Sequence, residues 1–176
     1  MKIHIGKSKL HGKGLFAKKD IKKGEIVFII KGKKIKFLIN SQAKAKIAGF
    51  NWVGIGKNEW RDPNKHCVYF NHSCDANTAI LGHVTVIALR NIKKGEEVTF
   101  DYSTTEADIF WQIRCHCKEK NCRKTIKSIQ FLPEKDYKHY MPYIPIYFQK
   151  VYNKFRYSRF KNYDKFKREW LLYLSA

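Results

Sequence analysis

Acidic residues are scarce in this chain. Its 176 residues hold 15 Asp and Glu against 36 Lys and Arg, a formal net charge of +21. Such a charge favours polyanions, either nucleic acid or an anionic membrane surface, though it also fits a lysine-rich chain that uses Lys for solubility. Long apolar runs are absent too. None approaches the roughly 18 residues of a membrane span, so none is expected. Met1 to Lys7 lacks an apolar h-region, so no signal peptide is expected and the protein is read as soluble and intracellular, cytoplasmic or nucleoid- or chromatin-associated, with delivery to a host left open. An even cysteine framework is missing as well. The five cysteines, Cys67, Cys74, Cys115, Cys117 and Cys122, are odd in number and unevenly spaced, which argues against a secreted disulfide scaffold. Thiols kept reduced inside a cell and clustered in this way more often bind metal.

What is present suffices for one domain with an appendage. Hydrophobic residues make up 44% of the chain, enough for a core. The charge is uneven. Residues 1–50 hold 14 basic and 2 acidic side chains, residues 51–122 hold 9 and 9, and residues 123–176 hold 13 and 4. Strands are expected at Ile26–Ile30, His83–Leu89 and Val98–Tyr102, from β-branched composition and alternation. Ile-Lys-Lys-Gly-Glu occurs at 21–25 and 92–96 and reads as two similar turns rather than a repeat architecture. A short helix is expected over residues 36–50. In the tail, Phe148, Val151, Tyr152 and Phe155, then Tyr163, Phe166 and Trp170, follow helical spacing. They fit one or two helices packing on the main domain, an aromatic nucleic-acid surface or a membrane-surface helix. Pro133, Pro142 and Pro145 mark breaks before the helical part.

Four segments carry chemistry. Asn71-His72-Ser73-Cys74 packs an amide, an imidazole, a hydroxyl and a thiol behind Tyr69 and Phe70. Such groups are costly to bury unpaired, so the cluster reads as a site. Cys115-x-Cys117-x4-Cys122 puts three thiolates within eight residues, enough for one side of a tetrahedral zinc ion, with the fourth ligand open among Cys74, Cys67, His116 and His72. Gly12-Lys13-Gly14 is a glycine turn that lets a ligand approach the backbone. Gly95 to Tyr102 ends on Asp-Tyr, and Glu96, Glu97, Asp101, Glu106 and Asp108 fall within thirteen residues. That acidic stretch is expected to receive a cationic substrate segment that the flanks repel.

Taken in order, Ser8 to Ala17, Asn71 to Cys74, Gly95 to Tyr102 and the closing Cys115-x-Cys117-x4-Cys122-Arg123 resemble the SET-domain lysine methyltransferases, the short bacterial members most. The resemblance covers about 120 residues. Two positions depart from the family pattern: Ala76 stands where Pro is frequent, and Val68 where Arg is frequent.

The resemblance implies a mainly β fold of small curved sheets, with a pseudoknot-like crossing of the Asn-His-Ser-Cys and Asp-Tyr segments, a post-SET zinc loop and a helical tail. It divides the chain into a SET domain (1–110), a zinc-binding segment (111–128) and a basic aromatic extension (129–176). Lys13, Gly14 and Leu15 would contact S-adenosylmethionine, largely through the backbone, with Asn71 and His72 at its homocysteine and adenine ends. Tyr102 would be catalytic and also contact this cofactor. Phe100 would sit in the substrate channel and set product state, favouring di- or trimethylation. Cys74 would join Cys115, Cys117 and Cys122 on a structural zinc, leaving Cys67 as the spare. The implied activity is methyl transfer to lysine of a histone, histone-like or other basic protein, with nucleic acid as a further partner through the basic flanks. Residues 36–66 would help choose the substrate. The competing reading is a zinc-stapled module that binds nucleic acid or peptide without catalysis.

Overall fold

The computed structural model describes residues 2–36, 51–63 and 67–175. The helix expected over 36–50 and much of the 36–66 selector region lie outside the described residues, except that Lys36 ends a strand.

Eleven short strands form four small antiparallel sheets among the described residues. The first joins β1 (Ile3–Lys7), β2 (Lys13–Ala17) and β9 (Glu97–Val98). The second orders β3 (Ile26–Ile29), β8 (Thr85–Ala88) and β7 (Thr78–Leu81), with β8 central. The third orders β4 (Gly32–Lys36), β6 (Glu59–Pro63) and β5 (Val53–Gly56). The last pairs β10 (Gln112–Arg114) with β11 (Thr125–Lys127). Helices α1 (Glu134–Tyr140), α2 (Ile146–Phe155) and α3 (Tyr163–Ser175) follow.

The two Ile-Lys-Lys-Gly-Glu segments fold alike and pair with each other. In each, the Glu N–H donates to the first Lys carbonyl, Glu25 to Lys22 and Glu96 to Lys93. Gly24 and Gly95 both sit at φ 81°, the conformation a type II turn demands at its third position and glycine adopts without strain. Ile21 and Ile92 bridge the two copies, and both are buried. The repeated pentapeptide therefore clamps the first sheet to the second.

Two expected strands are shorter than their composition predicts. The segment 83–89 is extended only over Thr85–Ala88. Val98–Tyr102 leaves its ladder after Val98, and Tyr102–Thr105 turns into a 3-10 helix capped by Asp101. The reason is tertiary: Asn77 takes the Thr99 N–H through Oδ1 at 2.9 Å, so those backbone groups are satisfied by a crossing segment instead of a strand partner.

The tail helices pack on the body. Phe148, Val151, Tyr152, Phe155, Phe166 and Trp170 are all buried, in a cluster that also holds Ala76, Ala79, Ala107 and Ile109. Tyr163 alone of the stripe stays 39% exposed. The aromatic spacing thus serves packing, not an open stacking surface. Helix α1, unmarked by apolar spacing, is short and begins directly after Pro133, where proline's missing N–H costs nothing. Among the described residues no helix is long and apolar enough to cross a membrane.

Because Trp170 is 1% exposed in this second core, Trp170→Ala is expected to destabilise the chain by roughly 3–5 kcal/mol. Tyr163→Ala should cost under about 1 kcal/mol. Urea unfolding of both variants checks the pair; equal losses would contradict the packing described.

Candidate active site and thiolate cluster

The site is built where residues 71–78 cross residues 97–101. His72 and Phe100 form a parallel bridge: the Phe100 N–H donates to the Asn71 carbonyl at 3.1 Å and the Ser73 N–H to the Phe100 carbonyl at 3.4 Å. Further along, Asn77 Nδ2 donates to the Glu97 carbonyl at 2.8 Å and Thr78 Oγ1 to the Thr99 carbonyl at 2.7 Å. Two polar segments thereby satisfy each other in the interior.

Lys13, Gly14, Asn71 and Glu97 converge at one end. Asn71 Nδ2 donates to the Lys13 carbonyl at 2.9 Å and to Glu97 Oε1 at 2.7 Å. Ser8 Oγ donates to Glu97 Oε2 at 2.9 Å. A Cβ at Gly14 would collide with the Glu97 carboxylate, so a larger residue there would have to displace the group that Asn71 and Ser8 hold. Leu15 is fully buried, between Ile5 of β1 and Val98 of β9. His72 has both ring nitrogens engaged: Nδ1 accepts the Tyr102 N–H at 3.2 Å and Nε2 lies 3.3 Å from Cys74 Sγ. An accepting Nδ1 leaves the proton on Nε2, pointing at the sulfur. Burial pushes the imidazole down to about 4, against the pull of Asp101, so the ring is neutral at pH 7. In a parallel bridge the central residue's own N–H and C=O point away from its partner; the His72 backbone is therefore what remains for a ligand.

Phe100 and Tyr102 form one aromatic group with Phe70 and His72. Ring centroids lie 4.4 Å apart for Phe70–Phe100, 4.8 Å for Phe100–Tyr102 and 5.3 Å for His72–Tyr102. Tyr102 Oη donates to the Phe70 carbonyl at 2.8 Å. Burial first, then the Glu97 charge, pushes the phenol well above its ordinary value, so Tyr102 is no base at neutral pH. The rings of Phe70, Phe100 and Tyr102 line a cavity of about 60 Å³ together with Trp52, Val68, Cys67 and Trp111.

Of the four candidates for a fourth ligand, Cys74 is the one grouped with the three later cysteines among the described residues. The sulfurs of Cys74, Cys115, Cys117 and Cys122 all lie within 4.8 Å of one another, and Cys74 Sγ is 3.7 Å from Cys115 Sγ. A tetrahedron with Zn–S bonds of about 2.3 Å has edges of about 3.8 Å, so the donor set and spacing fit zinc. Cys67 is apart from the group, buried in the main core. The Arg123 N–H donates to Cys74 Sγ at 3.4 Å.

Sequence reasoning missed what fastens this loop. Arg123 Nη2 lies 2.7 Å from both Asp101 carboxylate oxygens, and the Asp101 side chain has no exposed surface. Burial lowers the Arg123 pKa, but Asp101 outweighs it and the net shift is upward. Asp101 is thus an internal anchor and not part of an acidic surface patch, as its spacing with Glu96 and Glu97 had led us to expect. Glu96 and Glu97 are likewise held by Arg90, Asn77, Asn71 and Ser8. Only Glu106 and Asp108 face a cavity. The position of Arg123, directly after the last cysteine, is the one sequence hint of its role; nothing marks Trp52 and Trp111. Tyr140 of α1 was missed too. The Ala76 N–H lies 3.4 Å from Tyr140 Oη, which lies 3.4 Å from the Cys74 carbonyl. Proline at 76 would lack that N–H, so the departure at this position is matched by a contact from the tail.

The SET domain family model matches residues 12–103. The chain is 31% identical over 139 residues to the human histone-lysine N-methyltransferase 2B, covering 69% of this chain and 5% of that protein. It is 32% identical over 139 residues to the histone-lysine N-methyltransferase trithorax of Drosophila virilis, covering 69% and 4%. It therefore spans about a twentieth of the length of these relatives. KRYPTONITE, solved in complex with mCHG DNA and SAH, superposes with a TM-score of 0.54 at 20% identity, over 70% of this chain and 28% of that one, and shares the fold. With small antiparallel sheets, a crossing of residues 71–78 with 97–101, and a family match over more than half its length, the chain belongs to the SET-domain family.

Proposed function

We propose that this chain is a protein-lysine N-methyltransferase using S-adenosylmethionine, and that it acts on lysine in a basic protein such as a histone or histone-like protein. The observation that carries the reading is the narrow aromatic cavity with Phe100 and Tyr102 in its wall, one backbone step from the junction of Asn71, Lys13 and Glu97. That junction offers an accepting carboxylate, an amide and exposed Lys13, groups suited to the zwitterionic end of the cofactor. The His72 backbone is free to meet its other end. When bound, S-adenosylmethionine supplies an electrophilic methyl group on a positively charged sulfur.

The chain's own residues supply the rest. A free lysine has a pKa of about 10.4, and only its neutral amine is a nucleophile. The rings of Phe100, Tyr102, Phe70 and Trp111 desolvate the amine, which disfavours the ammonium. Their narrow spacing fixes its line of approach, the larger part of such catalysis. The Tyr102 hydroxyl and the Phe70 carbonyl place fixed dipoles at the reacting end. Phe100 carries no hydroxyl to hold a water there, which leaves room for successive methyl groups. Residues 1–110 form the catalytic part in this reading, residues 111–128 the zinc segment and residues 129–176 a packed extension.

Cys74, Cys115, Cys117 and Cys122 would hold a structural zinc, since four thiolates leave no open position. The metal would keep Arg123 on Asp101 and Trp111 against the cavity. The basic flanks supply a second attraction, toward nucleic acid on which substrate proteins reside.

Incubation with labelled S-adenosylmethionine and core histones is expected to label a histone, and mass spectrometry to find di- and trimethyl-lysine. Tyr102→Phe should lower the rate on the order of 10²-fold while cofactor binding by calorimetry persists, and Phe100→Tyr should stop at monomethyl. Unchanged labelling by Tyr102→Phe would sink the catalytic reading. Zinc analysis should return one ion per chain, lost in Cys74→Ser together with activity; full activity from verified zinc-free protein would refute the structural role. Binding to duplex DNA should fall at least tenfold between about 50 and 200 mM salt, and salt-independent retention would remove the flanks as its cause.

A further inference from the structure

Three of the four clustered thiols lie on one short stretch, Cys115 to Cys122, whereas Cys74 comes from a distant turn. Whatever holds that turn decides whether four sulfurs meet. At its sulfur, Cys74 accepts the Arg123 N–H at 3.4 Å, and His72 Nε2 lies 3.3 Å away. At its backbone the turn has two further supports. Ser73 Oγ accepts the Asp75 N–H at 3.1 Å. Tyr140 Oη accepts the Ala76 N–H and donates to the Cys74 carbonyl, both at 3.4 Å. One hydroxyl thus satisfies the polar groups on either side of Asp75. Cys74, Ala76 and Tyr140 are all buried, so losing that hydroxyl leaves two backbone groups without a partner in the interior.

Tyr140 belongs to the carboxy-terminal extension, where its own position is fixed. It is the last residue of α1, and its ring shares the second core with Ala76 and Ala79. On the same helix Tyr137 stacks on Tyr152 of α2, with centroids 3.8 Å apart and planes at 11°. Helix α1 is therefore held on α2, and its end reaches the turn that carries Cys74.

We infer that Tyr140 is a positioning residue of the metal centre, whose hydroxyl sets the Cys74 turn so that the fourth thiolate stands in place for zinc. The carboxy-terminal extension is then part of the zinc site, although it supplies no ligand. The inference rests on zinc binding by the four cysteines and not on methyl transfer. Its physical content is preorganisation. A ligand carried on a separate segment loses affinity when its support loosens, and groups that orient metal ligands typically govern about 10–100-fold in affinity. Coupling between sites is reciprocal, so a filled zinc site must in turn hold the end of α1 in place.

Tyr140→Phe keeps the ring in the core and removes only the hydroxyl. Tyr137→Phe is the control, a hydroxyl removed from the same helix at a ring that stacks on Tyr152 instead. Zinc affinity is measured on the full chain by competition with a chromophoric chelator, and cobalt(II) serves as the spectroscopic probe. Tyr140→Phe is expected to bind both ions about tenfold more weakly than wild type. Its thiolate-to-cobalt absorption should fall toward that of a three-sulfur site, while Tyr137→Phe matches wild type in both respects. Unchanged affinity and absorption in Tyr140→Phe, or an equal loss in Tyr137→Phe, would overturn the inference.

Native-state hydrogen exchange on the wild type provides a second test that needs no variant. Zinc is expected to slow exchange at the amides of Ala76 and Tyr137–Tyr140 by about tenfold, more than at those of α3. Exchange at these amides that ignores zinc would also overturn the inference. A wild type that binds no zinc would remove this inference and the zinc reading together, whereas four-sulfur binding that is indifferent to Tyr140 would remove this inference alone. Neither readout involves methyl transfer, so failure of the enzyme reading would leave both results standing.

Discussion

The crossing of residues 71–78 with residues 97–101 is the constraint on which the rest depends. Apart from Thr78, which opens β7, and Glu97–Val98 of β9, neither segment is a regular strand there, and each supplies what the other's backbone lacks. Asn77 alone accepts from Thr99 and donates to Glu97 and Glu96. Because these bonds are buried, losing one partner leaves the other unsatisfied, which costs more than the bond contributes when made. The crossing also sets the site. It brings Tyr102 onto the Phe70 carbonyl, points the His72 ring at Cys74 and turns the His72 N–H and C=O away from Phe100.

From that crossing, order extends to the thiolate loop through charge. Asp101 sits on the same short segment as Phe100 and Tyr102 and is matched by Arg123, which follows the last cysteine. A buried ion pair is not in itself a source of stability, because desolvation offsets much of its attraction. Its consequence is positional: a carboxylate with no exposed surface tolerates only one place for the guanidinium, and so the loop carrying Cys115, Cys117 and Cys122 has one seat. The Tyr140 contacts with Ala76 and Cys74 tie the helical tail to the same point.

Much of this was legible in the residues. The polar density of Asn71 to Cys74, the C-x-C-x4-C spacing, the paired Ile-Lys-Lys-Gly-Glu turns and the helical aromatic stripes each have a local physical signature, and the structure bears out the turns, the packed helices and the clustering of Cys74 with the three later cysteines. The acidic stretch was misleading because spacing along a chain says nothing of direction. Asp101 turns inward to Arg123, Glu96 and Glu97 turn to separate partners, and only Glu106 and Asp108 share a cavity. The strand expected over Val98–Tyr102 failed for a related reason. Its β-branched composition was right for a strand, but a crossing segment took its hydrogen bonds.

The sequence by itself determined which residue types were available and which local shapes they favour, because glycine turns, thiolate spacing and apolar periodicity act over a few neighbouring residues. It also carried, through motif order, membership of the family. Only the tertiary structure decided the pairings between distant residues: Arg123 with Asp101, Tyr140 with Ala76, and Trp52 and Trp111 around one cavity with Tyr102. Those depend on where separate elements meet, and no local preference of either partner specifies the other.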